Sequence, residues 1–162
     1  MGEPLHPTEK ILTREDLLAR FRRPRALKLV FTNGCFDLLH RGHIEYLHAA
    51  RQLGEALVIG VNTDASVLRL KGRGRPVVPE ADRALVLAAL GCVDGVTLFG
   101  EDTPRELLSD LLPDVLVKGG DYDPSEVVGK EEVEGAGGEV VIIPFIHGKS
   151  TTELLQHIRR QE

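Results

Sequence analysis

The sequence predicts an α/β fold: a doubly wound, five-stranded parallel sheet with helices on both faces. Three observations carry this. Short apolar runs alternate with longer segments of helical spacing along the chain. The run Ala56–Val61 (ALVIGV) is apolar at nearly every position, as in a strand covered on both faces. Polar, glycine-bearing stretches follow the runs at Asn33-Gly34, Asn62-Thr63-Asp64 and Lys118-Gly119-Gly120, on the side where open parallel sheets bind ligands.

In order, residues 1–26 read as a lead-in and packing helix, and residues 27–162 as the domain proper. Thr13 caps a helix to Phe21, with Glu15 and Asp16 in its first turn and Pro24 past its end. Its expected place is over one sheet edge. Leu27–Phe31 is the first strand, and Gly42-His43 opens a helix to Leu53 with Ile44, Leu47 and Ala50 on one face. After the second strand, Ala65–Leu70 is helical and leads into the basic loop Lys71-Gly72-Arg73-Gly74-Arg75-Pro76. Pro79–Leu90 is a helix with Glu80 and Asp82 in its first turn and Gly91 as its cap. Val93–Phe99 contains the third strand. Thr103 is expected to cap a helix that Pro104 opens and that runs to Leu112; Asp114–Val117 is the fourth strand. Glu139–Ile143 is the fifth, and Ser150-Thr151-Thr152 caps a last helix, Glu153–Arg159. The order is Rossmann-like.

Composition narrows the partners. At 162 residues the chain can bury one substantial core. A net charge of −5 supplies no basic field for a nucleic-acid polymer. No apolar run approaches membrane-spanning length and MGEPLHPTEK lacks a signal peptide's apolar segment, so a cytoplasmic protein is expected. Cys35 and Cys92 are too few and too far apart for a disulfide framework, and no base adjoins Cys35 to activate it as a nucleophile.

The chemistry concentrates in LVFTNGCFDLLHRGH, Leu29–His43. Two histidines this close are as a rule solvated surface residues. Here they stand between a strand's end and a helix's N-terminus, where backbone amides and the helix dipole favour phosphate, and Gly42 would let an anion approach closely. A zinc site is rejected: His40 and His43 are three apart, without the intervening Glu or a third ligand of the helical zinc pattern. If right-handed crossovers gather the strand ends on one rim, the histidines, Asn62–Asp64, Lys118–Tyr122 and Ser150–Thr152 meet over one cleft. Lys71–Arg75 beside them would suit a polyphosphate.

TNGCFDLLHRGH resembles the nucleotidyltransferases with the His-x-Gly-His signature, the cytidylyltransferase-like group, over about Thr13–Arg159. VNTDASVLRLKGRGRPVVP, LLPDVLVKGGDY and GKSTTELLQHIR are most similar to the adenylyltransferase domain of bacterial ADP-heptose synthesis. The resemblance implies that AMP passes from ATP to a sugar 1-phosphate, D-glycero-β-D-manno-heptose 1-phosphate in that branch, with release of pyrophosphate. The catalytic residues it implies are His40, His43, Lys71 and Lys118. The nucleotide would be bordered by Asn33, Gly34, Cys35, Phe36, Gly42, Arg75, Gly119, Asp121, Ser150, Thr151 and Thr152. Asp37, Asn62 and Asp64 would face the acceptor. Mg2+ would arrive on the nucleotide phosphates rather than in a protein cage, and a homodimer is implied by resemblance alone. The glycerol-phosphate cytidylyltransferases of the group carry Thr in place of Cys35, and an Arg-Thr-Glu-Gly-Ile-Ser-Thr-Thr run in place of Phe145–Thr152. Loss of that arginine argues against the CTP-using branch, although Lys149 replaces part of its charge. The alternatives are a cytidylyltransferase acting on glycerol or ethanolamine phosphate, the same chemistry on a flavin precursor with ATP, and a nucleotide-binding module without catalysis.

Overall fold

The computed structural model describes residues 6–120, 122–144 and 151–160. Five strands, β1 Leu29–Gly34, β2 Ala56–Asn62, β3 Gly95–Phe99, β4 Val115–Gly119 and β5 Glu139–Ile143, form one all-parallel sheet in the order β3-β2-β1-β4-β5. Around it lie α1 Arg14–Phe21, α2 Arg41–Arg51, α3 Asp64–Lys71, α4 Glu80–Ala88, α5 Arg105–Leu111, α6 Lys130–Gly135 and α7 Thr151–Arg159. No helix among the described residues is long and apolar enough to cross a membrane.

The strands are apolar on successive residues because each feeds two cores. Val30, Leu57, Ile59, Val61, Val115 and Val117 meet Tyr46, Leu47 and Ala50 of α2 and Ala84, Leu87 and Ala88 of α4. The alternate positions Leu29, Phe31, Ala56, Val58 and Leu116 meet Leu17 and Phe21 of α1, Leu107, Leu108 and Leu111 of α5, and Val133 of α6. Helices therefore cover both faces, as the sequence predicts. The edge strand β3 is screened by the lead-in: Ile11 pairs with Val96, and the Leu12 amide donates to the Val96 carbonyl at 2.8 Å.

Several boundaries move. β1 starts at Leu29, not Leu27, and continues to Gly34, whose register partner is Val61. Asn33 and Gly34 are thus held by the sheet rather than by a loop. α2 starts at Arg41 and stops at Arg51, with His40 as its N-cap. α4 ends on Ala89 instead of Gly91, and α5 has Pro104 at its N-cap position instead of Thr103. α6 is an addition: KEEVEG has one apolar residue, Val133, so no helical stripe marks it.

In this strand order the winding reverses between β1 and β4. Their C-terminal ends, Asn33-Gly34 and Lys118-Gly119, open on a crevice that the sheet cannot fill with its own connections.

Candidate active site

That crevice is a hollow of ≈ 570 Å3, within the range of small-molecule and cofactor sites. Asn33, Gly34, Cys35, Phe36 and Asp37 form its floor and one wall. His43 and Tyr46 enter from α2, Asn62 from the end of β2, Lys71 and Arg75 from the basic loop. Lys118 and Gly119 come from the end of β4, Tyr122 from the segment after it, and Thr151 and Thr152 from the start of α7. His40, Gly42 and Asp64 stand behind this lining. Asp121 and Ser150 lie outside the described residues.

The histidine turn is built as a reciprocal cap. The Gly42 amide donates to His40 Nδ1 at 3.1 Å, and the His40 amide donates to His43 Nδ1 at 3.4 Å. The two rings stack at 4.0 Å between centroids, tilted by 32°. Since each Nδ1 accepts, the ring N–H of each imidazole sits on Nε2. This corrects the expectation of free first-turn amides: Gly42 and His43 N–H are both spent inside the cap, the second on the His40 carbonyl at 2.9 Å. An anion here would be met by Nε2–H groups, and Gly42 serves the cap. Burial, with His40 beside it, pushes His43 down to about 4, so the ring is neutral at physiological pH.

Phe36 supports the arrangement. Its backbone is left-handed, φ 48, and its ring lies 5.5 Å from that of His43. Such a conformation costs an ordinary residue roughly 1–2 kcal/mol, and strain of this kind clusters at functional sites. Gly34 makes room for it, since a Cβ there would lie 3.1 Å from Phe36 Cε2.

The cations differ in their ties. Lys118 Nζ donates to Asn33 Oδ1 at 2.5 Å, across the β1–β4 crevice, and has no carboxylate partner among the described residues. Burial pushes it down to about 8. Lys71, the last residue of α3, is exposed and has no ion pair among the described residues. Arg75 Nε is held by Asp37 Oδ2 at 2.6 Å. Gly72 and Gly74 flank Arg73 at φ 85 each, a backbone that suits only glycine without strain.

Asp37 departs from the role assigned to it. Its carboxylate, 1% exposed, accepts from Arg75 Nε and the Val77 amide at Oδ2, and from the Val77 and Val78 amides at Oδ1. Burial alone would raise it; the Val78 and Val77 amides and Arg75 outweigh burial and hold it below the usual carboxylate range. All four acceptor positions are spent on pegging the basic loop to the end of β1, which leaves none for an acceptor sugar. Asp64 accepts from Arg83 at 2.7 Å through Oδ1, and its side chain is 43% exposed. Burial raises Cys35, against the pull of Lys71, Arg83 and Arg75, so its thiol stays protonated.

The cytidylyltransferase-like family model matches residues 31–155. The chain belongs to that family. It is 57% identical over 88% of its length to the bifunctional protein HldE of Geotalea uraniireducens, and 54% identical over 92% to that of Trichlorobacter lovleyi. It spans about 30% of the length of these relatives, 29% and 31% respectively. Among solved structures, the lipopolysaccharide core biosynthesis protein of Thermoplasma volcanium is 30% identical, with TM-score 0.62 over 75% of this chain and 98% of that one. The pantoate-beta-alanine ligase of Francisella tularensis, solved with an ATP analogue and beta-alanine, is 13% identical with TM-score 0.60 over 94% of this chain and 79% of its own; that likeness is of fold alone.

For a cytidylyltransferase-like site the arrangement offers cations and neutral N–H donors and, among the described residues, no activated nucleophile. Sequence reasoning missed Arg83 and Tyr46. Tyr46 OH bonds Thr32 Oγ1 at 2.6 Å and the Val117 carbonyl at 3.3 Å, and burial pushes it up to about 12. Arg83 is 2% exposed. A signal existed: Arg83 shares the helical stripe of Ala84, Leu87 and Ala88, where a charge has to be buried.

Proposed function

We propose that the chain transfers the AMP moiety of ATP to a sugar 1-phosphate, D-glycero-β-D-manno-heptose 1-phosphate, giving an ADP-sugar and pyrophosphate. One observation carries the reading: His43, Lys71, Lys118 and Thr151-Thr152, from four separated segments, line one nucleotide-sized hollow at the sheet's crossover. The similarity to bifunctional HldE proteins supports the choice of base and acceptor.

An acceptor phosphate oxygen attacks the α-phosphorus; that bond forms as the bond to the bridging oxygen breaks, and pyrophosphate carries the electron pair away. No protein group bonds to phosphorus. What the chain supplies is position and preorganised donors. His40 and His43 act on the α- and β-phosphates through Nε2–H, with the capping bonds fixing both rings. Lys118 sits on the nucleotide side, Thr151 and Thr152, with Ser150, at the β- and γ-phosphates. Lys71 and Asn62 face the acceptor, and Arg75 forms the wall between. Among the described residues no group of three His, Cys, Asp or Glu could hold a metal ion, and Asp37 is fully engaged. A Mg2+ would enter on the nucleotide, and no step is assigned to it.

The test is pyrophosphate release by the purified chain with Mg2+, each of four nucleoside triphosphates, and a panel of heptose 1-phosphate, glycerol phosphate and ethanolamine phosphate. Turnover confined to ATP with the heptose phosphate is expected. Preference for CTP with glycerol phosphate would overturn the assignment.

A further inference from the structure

Among the described residues Arg83 has the largest side chain wholly removed from solvent, with its guanidinium engaged at all three nitrogens. Nε donates to the Val78 carbonyl at 2.9 Å, one terminal nitrogen to the Cys35 carbonyl at 2.5 Å, and the other to Asp64 Oδ1 at 2.7 Å. These acceptors belong to three segments far apart in sequence: the turn after β1, the end of the basic loop and the start of α3. Asp37 makes a second set of bonds between two of them, through the Val77 and Val78 amides. The network is closed on its far side by Glu80, which accepts from the Asp64 amide at 2.5 Å. A planar fork with five donors is suited to such a three-way bridge; an ammonium is not. Every tie lies on the side of Cys35, Asp37 and Arg75. None reaches Lys118 or Thr151 on the other side.

We infer that Arg83 is a positioning residue that sets the wall of the hollow at Cys35, beside Asn62 and Lys71, the residues given to the acceptor above. This rests on the proposed transferase reading for the word acceptor; the mechanical claim, that Arg83 fixes the Cys35 and Val78 segments relative to each other, stands apart from it. A displacement of about 1 Å in such a wall can cost on the order of 10²-fold in rate.

The test compares the full chain with Arg83→Lys and Asp64→Ala by steady-state kinetics, ATP calorimetry and amide hydrogen exchange. For Arg83→Lys the expected results are a fall of about 10²-fold in kcat/KM for the acceptor, an ATP dissociation constant close to wild type, and faster exchange at Val77 and Val78. Asp64→Ala removes one tie from a carboxylate 43% exposed and should shift the same quantities less. If Arg83→Lys does not fold, Asp64→Ala decides. Unchanged exchange at Val77 and Val78, or equal loss of ATP binding and acceptor use, would overturn the inference. Should the wild type bind ATP and turn over no acceptor, the reading of function fails, and the exchange data alone judge the brace.

Discussion

At His43 one ring nitrogen accepts the His40 amide, which holds the imidazole in place and puts its proton on the other. Removing one preorganised donor of this kind should slow the reaction on the order of 10²–10³-fold. His43→Ala should do so and keep a thermal midpoint far above that of a core deletion; a collapse in stability would make the residue structural. The depressed titration has a signature of its own. Between 6.5, the ordinary value, and about 4 in the fold, the unfolded chain binds the additional proton, so stability falls as pH drops across that interval. The wild-type midpoint should therefore fall more steeply there than that of His43→Gln, and equal slopes would refute the shift. Lys118 is shifted in the same direction by burial, from a higher ordinary value. Its ammonium is buried against a neutral amide and pushed down to about 8, so a bound anion restores its charge. Triphosphate affinity should weaken as pH rises through about 8 in wild type and be weaker, without that dependence, in Lys118→Met.

The basic loop shows what an element needs beyond its own residues. KGRGRP reads locally as a solvated turn, and its two left-handed glycines fit that. It becomes part of the site because Asp37, forty positions upstream of Val77, takes both following amides and Arg75. Breaking a buried pair by removing one partner typically costs 3–5 kcal/mol; Arg75 is 20% exposed, so Asp37→Ala should cost about 3 kcal/mol in urea unfolding and also raise the acceptor KM. A neutral result on both would place the loop elsewhere. Legibility follows the same line. β2 was plain in the sequence because an unbroken apolar run reports burial on both faces. The histidine turn was plain because a strand, a cap and a helix are local patterns. α6 was invisible with one apolar residue, and Arg83 was missed because two of its partners, the Cys35 carbonyl and the Asp64 carboxylate, lie 48 and 19 positions upstream. The ties of Asp37 to the basic loop were hidden for a related reason, since its partners lie 38 to 41 positions on.

Over the whole molecule, the order β3-β2-β1-β4-β5 places the reversal of winding between β1 and β4, and the bond from Lys118 to Asn33 spans it. In the proposed reaction the donor would lie against β4 and α7 and the acceptor against the turn after β1 and the loop after α3, with His43 among the residues that line the same hollow. The proposed reaction holds two phosphorylated reactants in line, with no covalent adenylyl intermediate on the protein. The stereochemical course at the α-phosphorus tests this most directly, with ATP carrying a single sulfur on that phosphorus in one chiral form and the acceptor sugar phosphate as partner. One in-line displacement gives inversion of configuration in the ADP-sugar product; retention would mean two displacements, with AMP held on a protein side chain between them, and would contradict direct transfer.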